Sequence, residues 1–167
     1  MKKFNYTMNH KADEAYMAKM CWEGWAARSL VEGVWTFELC EPGKYTYRVC
    51  YLRGKSSEEV ERLKQELAAR GIEFVSRYSF WAIFRSEHAF ELYGPDEELR
   101  LCEKIRRPMI AGSILSWLAF FTTAALALRV SAWFWVPAAL LAVYAAMCSC
   151  LAVSYTGLIQ KLRRKRA

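Results

Sequence analysis

VWTFELCEPGKYTYRVCYL, residues 34–52, is the stretch that decides the reading of the folded part of this chain. From Val34 to Leu39, Trp35, Phe37 and Leu39 fall on one side, with Thr36 and Glu38 on the other. After Glu41-Pro42-Gly43-Lys44 the alternation resumes, Tyr45, Tyr47, Val49 and Tyr51 opposing Thr46, Arg48 and Cys50. Period-two alternation broken by a Pro-Gly turn predicts a β-hairpin. Sidedness also selects a register. Placing Leu39 opposite Tyr45 pairs 35 with 49 and 37 with 47, so that the large apolar residues share one face. A slip by one residue would set Arg48 beside Phe37.

Working outward, Lys11 to Glu23 reads as a helix with Met17, Met20 and Cys21 on one face and Gly24 as its stop. Trp25 to Val31 is ambiguous between strand and helix, and ends at a turn at Glu32-Gly33. Ser56 to Glu59 carries a capping signature, and Val60, Leu63 and Leu67 stripe the helix that follows. Ile72–Tyr78 and Phe80–Arg85 read as strands, and Lys3–Tyr6 as an opening one. The order predicts an α+β domain over residues 1–94, with one ferredoxin-like antiparallel sheet covered by two helices. Residues 95–108 form a juxtamembrane helix or linker, with Leu99, Cys102 and Ile105 along one side.

Beyond this the composition changes. Residues 109–128, MIAGSILSWLAFFTTAALAL, contain 20 residues and no charge, enough helix to cross a hydrocarbon core of about 30 Å. A short external loop over 129–133 and a second span over 134–156 complete a transmembrane hairpin, followed by a basic tail over 157–167. Trp133, Trp135 and Tyr155 fall where interfacial aromatics are expected. Arg106 and Arg107 precede the first span, and Lys161, Arg163, Arg164, Lys165 and Arg166 follow the second, whereas the loop holds only Arg129. This asymmetry predicts a cell-membrane protein with both termini cytoplasmic and its basic residues against lipid headgroups. Small residues at Gly112 and Ser116, and at Ala138, Ala142, Ala146 and Cys150, offer ridges for close packing of the spans.

The net charge of +7 is divided along the chain. Residues 1–99 hold 14 Lys/Arg against 16 Asp/Glu, a net of −2, whereas residues 100–167 hold 10 against one, a net of +9. The positive excess flanks the spans instead of covering the folded domain, which argues against nucleic acid as a partner. The N-terminal segment lacks the apolar run of a secretory signal. The six cysteines, without a CxxC pair, therefore read as reduced packing residues.

The segments MAKMCWEGW (17–25), FELCEPGKYTYRVCYL (37–52), GIEFVSRYSFWAIFR (71–85) and FELYGPDEE (90–98) resemble a bacterial domain-of-unknown-function family. The shared features are a "cEPGeYxYRv" hairpin, a "Gxeyv…w.yFr" strand pair and C-terminal membrane helices. The resemblance covers about residues 3–107 and departs from the family pattern at Cys21 and Cys50. Members are often encoded beside PadR-type transcriptional regulators, which implies a regulatory or signalling role and a protein partner of that kind. It implies no catalytic residues.

The residues themselves offer little reaction chemistry. His10 and His88 stand apart from any ligand-spaced cluster, so no metal and no cofactor is expected, and phosphate-loop and nucleophile-elbow motifs are missing. Arg48, Glu38 and Arg85 are candidates for a charged cluster on the sheet's polar face; a solvated face is the plainer reading. Trp22, Trp25, Tyr45 and Tyr47 complete a candidate partner or effector surface, although aromatics on a sheet are more often core. The expectation is a non-enzymatic, membrane-anchored sensing or regulatory protein that binds a partner protein or a small effector. The alternative is a structural accessory subunit of a larger membrane complex.

Overall fold

The computed structural model describes residues 1–5 and 9–164. Tyr6, at the end of the expected opening strand, and Lys165 and Arg166 of the basic tail lie outside the described residues. The chain divides into two units, Met1–Leu92 and Tyr93–Ala167.

In the first unit the elements run β1 (Lys2–Phe4), α1 (His10–Trp22), β2 (Trp25–Val31), β3 (Val34–Leu39), β4 (Thr46–Tyr51), α2 (Ser57–Ala69), β5 (Glu73–Tyr78) and β6 (Trp81–Ser86). Asn9 caps α1 by accepting the Ala12 N–H, and Ser56 and Glu59 form the expected capping box on α2. The class is α+β, as the sequence predicts. The strands, however, form two three-stranded antiparallel sheets, ordered β1-β3-β2 and β4-β6-β5.

The predicted 34–51 hairpin does not form. Strand β3 lies between two others, with Trp35 opposite Lys3 on β1 and opposite Leu30 on β2, so both its ladder edges are occupied. Strand β4 pairs with β6 instead, Tyr47 opposite Arg85 and Val49 opposite Ile83. The reason is geometric. Alternation specifies which side chains share an interior, and two sheets facing one core satisfy it as well as one ladder does. Trp35, Phe37, Tyr47 and Val49 are indeed all buried in the same cluster, with Met17, Met20, Cys21 and Ile83. Leu39, expected inside with them, is 78 % exposed at the end of its strand.

The sheets are joined by side chains and by α1, which packs on both β2 and β4. Ser76 Oγ, on β5, accepts the N–H of Leu30 on β2 at 3.3 Å. Both strands carry a register shift at this seam, Ala27/Ser29 and Phe74/Ser76. The shift in β2 also explains the ambiguity of Trp25–Val31, which is a strand: a bulge interrupts alternation. Inside the core, Tyr47 Oη accepts the N–H of Ala27 at 3.0 Å. Burial pushes the Tyr47 hydroxyl's pKa well up, so it stays neutral. Tyr47→Phe should cost about 1–3 kcal/mol, the penalty of a buried N–H left without its acceptor. Urea unfolding of the two proteins side by side measures it; an unchanged midpoint would contradict the bond between the sheets.

The second unit is a helical pair, α3 (Pro95–Arg129) and α4 (Trp135–Arg164), joined through a 3-10 turn at Ala132–Phe134. Helix α3 runs unbroken through Pro108. The buried residues of α4 are Ala138, Ala145, Cys148, Ala152, Tyr155 and Ile159. Their spacings of seven, then of alternating three and four, keep the 3.5-residue repeat of a left-handed helix pair. Ala138 belongs to it and Ala142 lies at its margin, whereas Ala146 and Cys150 face outward. A stride of four advances about 40° beyond a full turn at each step, so a ridge drawn through every fourth residue leaves the contact. Ser116 is buried on α3, and a Cβ at Gly112 would lie 3.9 Å from Cys148 Sγ. Ser113 and Ser149 share a hydrogen bond at 2.7 Å, and Arg163 donates to Glu103 at 2.9 Å. Both helices are long and apolar enough to cross a membrane. Their outer faces expose Leu115, Phe121, Leu140, Val143 and Val153.

Candidate functional site

The candidate surface residues separate into four places. Arg85, on β6, donates to Glu38 of β3 and Glu73 of β5, each at 2.9 Å, and its guanidinium lies 4.5 Å from the centre of the Tyr45 ring. Glu38, Tyr45 and Arg85 therefore come together, as a charged clasp between the two sheets. Both carboxylates raise the Arg85 pKa against the opposing effect of its partial burial. Arg48 stands elsewhere, 4.0 Å from Glu14 and over the Phe90 ring. Tyr47 is core and Trp25 packs against it. Trp22 is exposed, and its ring lies where a Cβ on Gly43 would approach to 2.9 Å. Gly43 has φ +73, so the turn requires glycine both for its backbone and for this ring.

The clasp engages its one guanidinium with two carboxylates and leaves little room. The recess beside it, against Tyr45, Glu73 and His88, holds about 200 Å³, less than most small-molecule sites. A broader depression of about 610 Å³ between α2 and β5 opens widely to solvent, and Lys64 already lies over its Phe74 ring at 4.4 Å.

A better-formed cleft, about 470 Å³, lies at the other end of the unit. Two strand connections form its rim: Leu30, Glu32 and Gly33 where β2 turns into β3, and Tyr78 and Ser79 where β5 turns into β6. Phe4 and Asn5 close one side, and Asp13 of α1 lies within. Glu32 and Gly33 both have positive φ, 49° and 79°, as a two-residue type I′ turn requires; Ser79 stands at 49° in the other connection. These conformations belong to the turns. Asp13 is the buried carboxylate of the cleft, its Oδ2 accepting from Tyr78 Oη at 2.7 Å. The described lining contains two carboxylates, Asp13 and Glu32, and neither lysine nor arginine. An apolar wall with a few convergent polar groups is how small-molecule sites are built. Sequence reasoning found the Glu32-Gly33 turn but not the cleft, because four segments distant in sequence make it.

Fold and cleft together define a class: a small α+β domain with a ligand-sized cleft, continued by two long apolar helices. The chain belongs to the family described as a protein of unknown function (DUF2812), which matches residues 9–109. That match spans most of the α+β domain and ends where the uncharged run of α3 begins. No curated protein and no solved structure matches the chain.

Proposed function

We propose that this protein is a membrane-anchored, non-catalytic sensing or regulatory protein whose α+β domain binds a small effector in the Asp13–Tyr78 cleft. The cleft carries this reading. Its volume suits a small molecule, and its lining of Phe4, Leu30 and Tyr78 with Asp13 and Glu32 favours a neutral or cationic molecule over an anionic one. Anchoring is supported by the apolar outer faces of α3 and α4, which their mutual packing leaves uncovered. The basic residues Arg106, Arg107, Lys161, Arg163 and Arg164 would then contact headgroups, with both termini on the cytoplasmic side. The effector state would be read by a protein partner, either a PadR-type regulator or another membrane protein.

The test is a thermal-shift screen of the full chain in mild detergent against neutral, cationic and anionic small molecules. Hits should be neutral or cationic and should lose their shift in Tyr78→Phe or Glu32→Gln. Hits that are anionic, or indifferent to both variants, would sink the effector reading. A second reading, a structural accessory subunit, is favoured by the outward face of α4 at Ala146 and Cys150, where another helix could approach closely. Crosslinking in cells separates the two: loss of a recovered membrane partner on Ala146→Leu supports the subunit, and retention of a cytoplasmic regulator supports the sensor.

A further inference from the structure

At the junction of α1 and the turn after β3, two cysteines stand together. Cys21 Sγ and Cys40 Sγ are 3.9 Å apart, and all six cysteines of the chain are free thiols. A disulfide needs about 2.0 Å between sulfurs, so a closure of roughly 1.9 Å separates the pair from a covalent bond. The surrounding backbone keeps them in place. Cys21 O accepts from both Gly24 N and Gly43 N at 3.0 Å, and Cys40 N donates to Gly24 O at 2.9 Å. Tyr45 N donates to Cys21 Sγ at 3.3 Å. Cys21 is fully buried, whereas Cys40 is partly exposed. Cys40 is thus the more accessible member of the pair.

We infer that Cys21 and Cys40 are a dithiol that closes to an intramolecular disulfide by exchange with a small-molecule disulfide, clamping the Glu41–Gly43 turn to the end of α1. The steps balance. The Cys40 thiolate attacks one sulfur of the small disulfide, forming a mixed disulfide and expelling one small thiolate. The Cys21 thiolate then attacks Cys40 Sγ and expels the second. Two protein thiols have lost two protons and two electrons, and the small disulfide has been reduced to two thiols. Burial and the contact with the Cys21 thiol push the Cys40 thiol up to about 11. Its thiolate fraction is small at neutral pH, so closure is slow there and quickens about tenfold per pH unit until that pKa is approached. The clamp would hold Trp22, which rests on Gly43, and the end of β3 carrying Glu38.

The experiment treats the full chain in detergent micelles with oxidised glutathione in mildly alkaline buffer, blocks residual thiols and digests with trypsin without reduction. The two cysteines fall on separate peptides, Met20–Arg28 and Ser29–Lys44. The expected result is a disulfide-linked pair of these peptides, outweighing every other cysteine pairing and lost after reduction. It should form about tenfold faster for each unit of pH, and the melting temperature should rise. Cys40→Ser, a change at the partly exposed member, should abolish the linked peptide and leave Cys21 unmodified. Either of two results overturns the inference: Cys40 accumulating as the glutathione adduct without a second step, or the linked peptides appearing only after denaturation.

Discussion

Trp35→Ala is expected to lower the stability of the α+β domain by about 3–5 kcal/mol, the usual cost of removing a large buried aromatic. Total stabilities of about 5–15 kcal/mol make such a loss close to unfolding for a domain of this size. Trp35 is fully buried, stacked on Phe37 at 6.1 Å and tilted against Tyr16 at 6.0 Å. It has one liability, an indole N–H with no acceptor among the described residues. Trp35→Phe removes that group along with part of the volume and should cost less than Trp35→Ala. Trp22→Ala, at a residue 72 % exposed, should cost under about 1 kcal/mol. Urea unfolding followed by circular dichroism ranks the three. Equal midpoints for Trp22→Ala and Trp35→Ala would mean that the core is drawn in the wrong place.

Glu14→Ala carries the second large effect, about 3 kcal/mol. This carboxylate is buried on α1 yet satisfied: its Oε1 accepts the N–H of Val49 on β4 at 2.9 Å, and its Oε2 meets Lys11 at 3.1 Å and Arg48 at 4.0 Å. Alanine strands a buried N–H and leaves Arg48 without its carboxylate. Glu14→Gln keeps an oxygen for Val49 and removes only the charge, and should lose roughly 1 kcal/mol, as expected for a charge pair that retains some solvent. If the two variants unfold alike, the ion pairs and not the Val49 bond hold α1 to β4.

Elements were legible in the sequence wherever the signal was local. The box at Ser56 and Glu59, the stripe of Val60 and Leu67, and the alternation of 34–39 and 46–51 each depend on residues a few positions apart. Pairing was not legible, because it depends on which strand, distant in sequence, occupies an edge. Strand β1, three residues long and exposed throughout, takes the edge of β3 that the hairpin would have used. The candidate surface suffered for the same reason. Once β3 and β4 belong to different sheets, Glu38 and Arg48 no longer share a face, and only Arg85, opposite Tyr47 on β6, returns to Glu38. The Asp13–Tyr78 contact, bridging 65 positions, had no sequence signature.

Helix α3 has 35 residues and at 1.5 Å per residue measures about 52 Å, against a hydrocarbon core of about 30 Å. Set across such a core, α3 would leave roughly 20 Å outside the hydrocarbon as a lever, with Arg163 of α4 meeting it part-way along at Glu103. A lever of that length turns angle into travel: 10° of tilt at the lipid boundary moves the tip near Pro95 by ~3.5 Å. A change in bilayer thickness that re-tilts the hairpin would thus arrive at that tip as a displacement comparable to the width of a side chain.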